Sequence, residues 1–358
     1  MHQKGVNKML ILRAKAPLRI SFAGGGTDIP PYPQTEGGCV ICATINKYAY
    51  GSLRPTENDQ ITIKSLDFDT FLNYKIDEEL IYDGKLDLIK AAIIKFEGNK
   101  SKGFDLFLHS DAPPGSGLGS SSAMMVTLVG LLQEFKKIPI TDYEVANLAY
   151  IIERKDLGIK GGMQDQYAAT FGGFNYIEFL KDRVIVNPLR ISQDVINELE
   201  HNLILCYMGK TRVSDNIIDD QIDRYEKGED ECLVGMRRLK EITVEMKNAL
   251  LQRQLNRFGK LLYEAWENKK KMSGKISNFQ IDKMYEAAIK NGAIGGKVTG
   301  AGGGGYMLFY CPFEKKHQVT KVLKEMGGIL TEFGFEFNGL QTWRVNEDWG
   351  ENYKCLKN

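Results

Sequence analysis

The stretch "PPGSGLGSSSAMM", residues 113–125, places three glycines at alternate positions and runs directly into three serines. The preceding residues, 103–114, are typical of a strand, and residues 121–137 carry apolar side chains at helical spacing. A glycine turn between a strand and a helix presents free N–H groups at the positive end of the helix dipole, with no Cβ in the way. The pattern predicts a phosphate cradle, although a loop that only lets strand and helix pack closely fits a bare GxGxG equally well.

The serines favour the phosphate cradle, because hydroxyls at a helix start can cap the helix and can also ligate Mg²⁺. The chain contains no GxxxxGK[ST] loop and no HRD or DFG motif, and "GSGLGS" departs from GxGxxG. The common nucleotide folds are therefore poor candidates. The residues predicted to form the cradle are Pro114, Gly115, Ser116, Gly117, Leu118, Gly119, Ser120 and Ser121.

The composition is that of an ordinary globular protein. The 358 residues are 43% hydrophobic, and 47 basic against 46 acidic residues give a net charge of +1. This balance gives no electrostatic reason to expect nucleic acid or membrane as a partner. The N-terminal apolar stretch, residues 9–12, is too short for a signal peptide or a membrane span, so a cytoplasmic protein is expected.

The sequence pattern changes near residue 190, from β-rich segments to charged helical ones. The first half alternates β-rich segments with glycine turns, whereas residues 215–271 are charged and helical. The closing segments "TEFGFEF" (331–337) and "LQTWRV" (340–345) are both predicted as strands. These patterns predict an α+β fold in two lobes, residues 1–190 and 191–358.

Three motifs in order resemble those of the GHMP kinases. Residues 113–123, "PPGSGLGSSSA", are similar to the second motif of that superfamily, residues 16–28, "APLRISFAGGGTD", to the first, and residues 295–310, "GGKVTGAGGGGYMLFY", to the third. The resemblance spans almost the whole chain. It implies a β-rich N-terminal α/β domain, a ferredoxin-like α+β C-terminal domain, and ATP with Mg²⁺ as cofactors.

The first motif departs from the common G-E-H-T-D form, because Gly25 and Gly26 stand where Glu and His would be. This form is similar to that of the kinases of D-glycero-D-manno-heptose 7-phosphate, which phosphorylate the anomeric oxygen of a sugar phosphate. A fucokinase or another free-sugar 1-kinase on the same fold is the alternative. A sugar or nucleotide sensor without catalysis is the alternative of another class. The resemblance leaves the oligomeric state open and is compatible with a homodimer.

The resemblance also implies roles for individual residues near the phosphates. Ser121 and Glu153 would hold Mg²⁺, with Ser120 or Ser122 as further candidates, because a hard cation prefers oxygen ligands. Asp165 matches the catalytic aspartate and would accept or orient the proton of the acceptor hydroxyl. A turn-stabilising aspartate would also fit that position.

Further residues are implied for the catalytic and sugar sites. Arg19 matches a basic residue that contacts the catalytic aspartate or the phosphate. Asp28 would bind sugar hydroxyls, with Thr27 as a weaker candidate, and Gly302 lies in the third motif near the substrate. A 7-phosphate needs a cation, and Arg212 is the first candidate with Lys210 the second.

Overall fold

The computed structural model describes residues 9–96, 102–209 and 215–347 of the chain. In chain order the strands are β1 (Met9–Ala23), β2 (Gly38–Pro55), β3 (Gln60–Ser65), β4 (Thr70–Lys75), β5 (Phe104–Ser110), β6 (Phe174–Phe179), β7 (Val184–Pro188), β8 (Leu203–Tyr207), β9 (Gly295–Val298), β10 (Tyr306–Tyr310), β11 (Ile329–Thr331) and β12 (Gln341–Glu347). The helices are α1 (Tyr32–Thr35), α2 (Asp87–Phe96), α3 (Ser120–Lys136), α4 (Asp142–Tyr150), α5 (Gln164–Phe171), α6 (Gln193–Asn202), α7 (Asp215–Glu226), α8 (Asp230–Leu251), α9 (Leu255–Lys271), α10 (Phe279–Lys290) and α11 (Phe313–Glu325). A short π-helix, Ile151–Asp156, continues α4. Across the part of the chain that is described, no helix has the length and apolarity needed to cross a membrane.

The larger sheet has eight strands within the described residues, seven from the first half of the chain and β12 from its end. Its main path runs β12-β1-β2-β5-β3-β4, and β2 also pairs with β6, which pairs with β7. Alternate residues of β1, from Ala14 to Phe22, are fully buried, as the period of two in a strand requires. Helix α3 packs against this sheet, where Thr127 donates a hydrogen bond to the Ala49 carbonyl at 3.2 Å.

The smaller sheet is antiparallel and has the strand order β11-β8-β10-β9. Taken along the chain, its strands and the intervening helices follow a β-α-β-β-α-β arrangement, which is the ferredoxin-like pattern. The prediction of an α+β fold with a ferredoxin-like C-terminal part is therefore confirmed.

The last predicted strands show one error and one unexpected pairing. "TEFGFEF" is not a strand: β11 ends at Thr331, and Phe335 makes only an isolated bridge to Ile45. "LQTWRV" does form a strand, but this strand pairs with β1, with Trp343 opposite Arg13. The division at residue 190 falls between β7 and α6, yet β12 returns to the first sheet, so the domain limits stay a prediction.

Aromatic rings join the large sheet to the helices of the second half. Phe22 of β1 is fully buried, and its ring centroid lies 5.3 Å from that of Phe258 in α9. It also packs against Phe174 of β6 at 6.2 Å and Phe335 at 6.5 Å. Since Phe22 lies two residues before the glycines of the first motif, this cluster fixes the end of β1 that carries the site.

We predict that Phe22→Ala lowers the free energy of unfolding by about 3–5 kcal/mol, because it leaves a cavity between β1, β6 and α9. Urea denaturation followed by circular dichroism measures the change. The matched control is Phe279→Ala, since that ring is 81% exposed. The control should change stability by no more than about 0.5 kcal/mol, and an equal loss in both variants would contradict the role of the aromatic cluster.

Candidate active site

A polar cavity of about 260 Å³ lies where the three sequence motifs meet. Its walls come from β1 and the following glycines, the turn before α3, the π-helix, the start of α5, helix α9 and the loop between β9 and β10. Of the predicted site residues that are described, the cavity is lined by Arg19, Asp28, Gly115, Gly117, Gly119, Ser120, Ser121, Glu153, Asp165 and Gly302. The fold thus brings together residues that are far apart in the chain.

Arg19 and Asp165 form a bidentate ion pair in the floor of this cavity. The Arg19 Nε and Nη2 atoms each donate to one oxygen of the Asp165 carboxylate, both at 2.8 Å. The remaining guanidinium nitrogen, Nη1, donates to the Gly117 carbonyl at 2.6 Å. This fork geometry fixes the plane of the carboxylate, and each carboxylate oxygen retains a second acceptor position for a substrate hydroxyl.

The glycine turn has the backbone shape that the sequence predicts. Gly115, Gly117 and Gly119 all have φ between 74° and 86°, a left-handed conformation in which other residues are strained. Gly119 is the N-cap of α3, so the first N–H groups of the helix have no intrahelical acceptor, and the first helical residues, Ser120 to Ser122, line the cavity. The Leu118 side chain is buried in the core, and Pro114 lines a second cavity. Neither side chain therefore lines the polar cavity.

The glycines of the third motif let the loop after β9 lie directly against this turn. A Cβ on Gly300 would be 2.7 Å from the Gly117 Cα, and one on Gly305 would be 2.3 Å from the Ser116 carbonyl oxygen. The Tyr306 N–H donates to that same carbonyl at 2.9 Å. The two turns are thus in backbone contact, which leaves no room for side chains between them.

Ser121 and Glu153 are in direct contact at the start of α3. The Ser121 hydroxyl donates to one oxygen of the Glu153 carboxylate at 2.6 Å, and the Ser122 hydroxyl donates to the other at 2.7 Å. Gln166 adds a third hydrogen bond at 2.6 Å, and Glu153 is fully buried in the π-helix. Hydroxyl and carboxylate oxygens suit Mg²⁺, but the described residues hold no cluster of three or more metal-ligating His, Cys, Asp or Glu side chains. Such an ion would take its remaining ligands from phosphate and water.

Asp28 also lines the cavity, and two backbone N–H groups hold its carboxylate in place. Its carboxylate accepts hydrogen bonds from the Gly26 N–H at 2.9 Å and from the Gln164 N–H at 3.0 Å. Thr27 is different, because its buried hydroxyl donates to the Gly24 carbonyl of the same loop and to the Cys39 carbonyl of β2. Thr27 therefore supports the turn and does not line the cavity, which corrects its prediction as a sugar contact.

Two buried lysines also line the cavity. Lys297, which precedes the third glycine run, donates to the Ser21 carbonyl at 2.7 Å, and Lys269 of α9 donates to the Gly25 carbonyl at 2.8 Å. Burial lowers the pKa of Lys269 to about 8, against the opposing effect of Asp28. Burial, with Lys269 and Arg19 nearby, also lowers the pKa of Lys297 well below its usual value.

The sequence motifs did not predict every residue that lines the cavity, and two of the predicted site residues lie in a part of the chain that the structure does not describe. Arg212 and Lys210 lie outside the described residues, so their assignment to a substrate phosphate stays a prediction. Arg154 was missed: it lines the cavity and donates to the Ser122 hydroxyl at 3.3 Å. It follows Glu153 directly in the chain, so that glutamate was the signal that could have indicated it.

A second, larger cavity of about 660 Å³ adjoins the first one. Its walls include Phe68 and Phe71 at the β3–β4 hairpin, residues 84–89 before and within α2, and Met124 of α3. The two cavities share Ser120, Ser121 and Ile159 in their linings. The start of α3 therefore separates a polar chamber from a more apolar one.

A phosphate-type glycine turn beside a clamped carboxylate is the arrangement of a small-molecule kinase, and the comparisons with known proteins agree. A model of the GHMP kinases N terminal domain matches residues 87–173, and one of the GHMP kinases C terminal domain matches residues 246–328. D-glycero-alpha-D-manno-heptose 7-phosphate kinase of Campylobacter jejuni is 40% identical over 341 residues, which cover 94% of this chain and 100% of that protein. The chain belongs to the GHMP kinases and is an ATP-dependent phosphotransferase.

Solved structures and more distant relatives agree with this assignment. A crystal structure from Bacteroides thetaiotaomicron, titled D-glycero-D-manno-heptose 1-phosphate kinase, superposes with a TM-score of 0.79 at 37% identity and covers 94% of this chain and 100% of that one. The bifunctional fucokinase/GDP-fucose pyrophosphorylase of Arabidopsis thaliana is 26% identical and matches 87% of this chain but only 31% of its own length. The resemblance to GHMP kinases on three motifs is thereby confirmed.

We predict that Gly162→Ala weakens sugar binding, because the added Cβ would lie 1.9 Å from the Asp28 carboxylate and must displace it. The KM for the sugar substrate should rise about tenfold or more, the usual effect of losing hydrogen bonds to a charged group. The KM for ATP should stay within about twofold. Steady-state kinetics measure both constants, with Gly274→Ala as the control because its Cβ would meet open space. An unchanged sugar KM would remove Asp28 from the sugar site.

Proposed function

We propose that the chain transfers the γ-phosphate of ATP to the anomeric hydroxyl of D-glycero-D-manno-heptose 7-phosphate and forms the 1,7-bisphosphate. The observation that carries the proposal is the position of Asp165 beside the N-terminus of α3. A Cβ on Gly119, the N-cap of that helix, would lie only 3.2 Å from the Asp165 Oδ2 atom. A group that can receive the acceptor proton therefore adjoins the predicted phosphate cradle.

The choice of a heptose phosphate rests on the relatives. The Campylobacter protein is named a heptose 7-phosphate kinase and the Bacteroides structure is titled a heptose 1-phosphate kinase. Both names contain a heptose that already carries a phosphate, but they differ in where that phosphate is. Both proteins are covered in full by this chain, and the slightly higher identity of the 7-phosphate kinase, 40% against 37%, favours that substrate here.

The two adjoining cavities suit the two substrates. The apolar walls of the larger cavity, including Phe68, Phe71 and Met124, can cover the base and ribose of ATP. The triphosphate would then cross the N-terminus of α3 at Ser120 and Ser121, where N–H groups and the helix dipole favour anions. The sugar would enter the smaller polar cavity and meet Asp28, with Gly302 on the opposite loop.

The chain's own residues can orient and deprotonate the acceptor. Asp165 accepts the hydrogen bond of the anomeric hydroxyl and takes its proton as the bond from that oxygen to the γ-phosphorus forms. The bond between the γ-phosphorus and the β–γ bridging oxygen breaks at the same time, and ADP leaves. Arg19 keeps the carboxylate in place and adds positive charge next to the Gly117 carbonyl, close to the transferred phosphoryl group. Ser121 and Glu153 would hold Mg²⁺, which neutralises charge on the β- and γ-phosphates when bound.

Four further predictions belong to this proposal. Arg212 and Lys210 remain candidates for the 7-phosphate. The homodimer and the cytoplasmic location also stay predictions, and the near-neutral charge continues to argue against nucleic acid as a partner.

A substrate panel followed by ³¹P NMR tests the function. The purified protein is incubated with ATP, Mg²⁺ and one sugar at a time: heptose 7-phosphate, heptose 1-phosphate, fucose, galactose or mannose. We expect a new anomeric phosphate signal only with heptose 7-phosphate, and none after Mg²⁺ is removed by EDTA. Turnover of fucose would support the free-sugar 1-kinase, and binding without turnover of any sugar would support the sensor.

Asp165→Asn tests the assigned role of the carboxylate. We expect kcat to fall by about 10²–10⁴, the usual contribution of a general base, while the KM for ATP changes little. The matched control is Asp105→Asn, because Asp105 pairs with Arg54 in another arginine–aspartate ion pair on the large sheet, away from the cavity. Retention of more than about half of the wild-type kcat in Asp165→Asn would contradict any catalytic role for this residue.

A further inference from the structure

Lys269, from the second half of the chain, lines the smaller cavity together with Gly25 and Asp28. It lies in the last turn of α9, 94% of its surface is buried, and its Nζ atom donates to the Gly25 carbonyl at 2.8 Å. The Gln221 side chain of α7 accepts a longer hydrogen bond from the same ammonium at 3.4 Å. An ammonium has three donors, so at least one is left for a ligand in the cavity that Lys269 lines.

The charge of Lys269 has no close counter-ion. Among the described residues, no carboxylate lies within 4.0 Å of its Nζ atom, whereas Arg19 in the same cavity has Asp165. Lys297 is a second buried lysine without such a partner, and burial, with Lys269 and Arg19 nearby, lowers its pKa well below the usual value. Buried charges are normally paired, so an anionic ligand in the cavity would supply the close partner that the Lys269 ammonium lacks.

The glycines of the first motif make room for this ammonium. A Cβ on Gly26 would lie 3.0 Å from the Lys269 Nζ atom, 3.0 Å from the Gln221 side chain and 2.5 Å from the Met272 methyl group. Any side chain at position 26 would therefore compete for that space, whereas Gly26 leaves room for the ammonium that α9 supplies.

We propose that the Lys269 ammonium binds the phosphate that the sugar substrate already carries, and thereby selects a phosphorylated sugar over the free sugar. This inference rests on the proposed function, because it requires a sugar phosphate in the smaller cavity. Lys269 is then a specificity-determining residue, and Gly26 is the position that permits it to reach the substrate.

Calorimetric binding of heptose 7-phosphate and of free heptose, both with a non-hydrolysable ATP analogue present, tests the selection. Lys269→Met keeps most of the side-chain volume and removes the charge. We expect it to raise the Kd for heptose 7-phosphate about 10- to 100-fold, the range for a lost charge-assisted hydrogen bond. The Kd for free heptose should stay within about threefold. Lys269→Arg, which keeps a cation, should retain most of the preference for the phosphorylated sugar.

Lys270→Met is the matched control, because Lys270 follows directly on the same helix and pairs with Glu267 at 2.8 Å. It should leave both dissociation constants unchanged. Equal weakening of both sugars in Lys269→Met would overturn the inference and would make Lys269 only a structural link between α9 and Gly25. Wild-type protein that prefers free heptose would contradict the proposed substrate as well, so the two failures are distinguishable.

A measurement on the wild-type protein covers the case that Lys269→Met does not fold. The ¹⁵Nζ signal of Lys269, assigned through Lys269→Arg, should shift on addition of heptose 7-phosphate and stay in place on addition of free heptose. The same shift with both sugars would also overturn the inference.

Discussion

The ion pair between Arg19 and Asp165 is the contact on which the rest of the site depends. Arg19 is in β1, Asp165 is in the first turn of α5, and the same guanidinium holds the carbonyl of Gly117. The Arg19 N–H also donates to the Leu118 carbonyl at 3.0 Å. The side chain and backbone of Arg19 therefore set the distance between the predicted base and the predicted phosphate cradle. Because Arg19 is 94% buried, water has little access to the hydrogen bonds that hold this distance.

Close backbone packing extends this geometry to the second half of the chain. The turn before α3 and the loop after β9 touch at Gly117 and Gly300, where a Cβ on Gly300 would collide with the Gly117 backbone. Phe22 of β1 packs against Phe258 of α9, and Lys269 at the end of the same helix donates a hydrogen bond to the Gly25 carbonyl. The polar cavity thus lies where glycine contacts join the two turns and aromatic packing joins β1 to α9.

The three motifs could be identified from the sequence because each needs particular residues at fixed spacing. In the structure, as expected, all three line the same cavity. Lys269 was not among the predicted site residues, although it lies on the apolar face of α9 with Phe258, Leu262 and Ala265. A lysine at such a position of an amphipathic helix indicates a buried charge. Sequence could not show which loop this charge would reach. "TEFGFEF" alternates like a strand, but only Phe335 forms a bridge there, because pairing depends on a partner strand that local pattern does not reveal.

A crystal structure of the protein with a non-hydrolysable ATP analogue and heptose 7-phosphate tests the central claim most directly. The account predicts the anomeric oxygen at hydrogen-bonding distance, about 2.6–3.2 Å, from the Asp165 carboxylate. It also predicts the terminal phosphate of the nucleotide next to Gly117–Gly119 and in line with that oxygen. A sugar that presents another hydroxyl to Asp165, or a triphosphate bound away from the start of α3, would contradict the account.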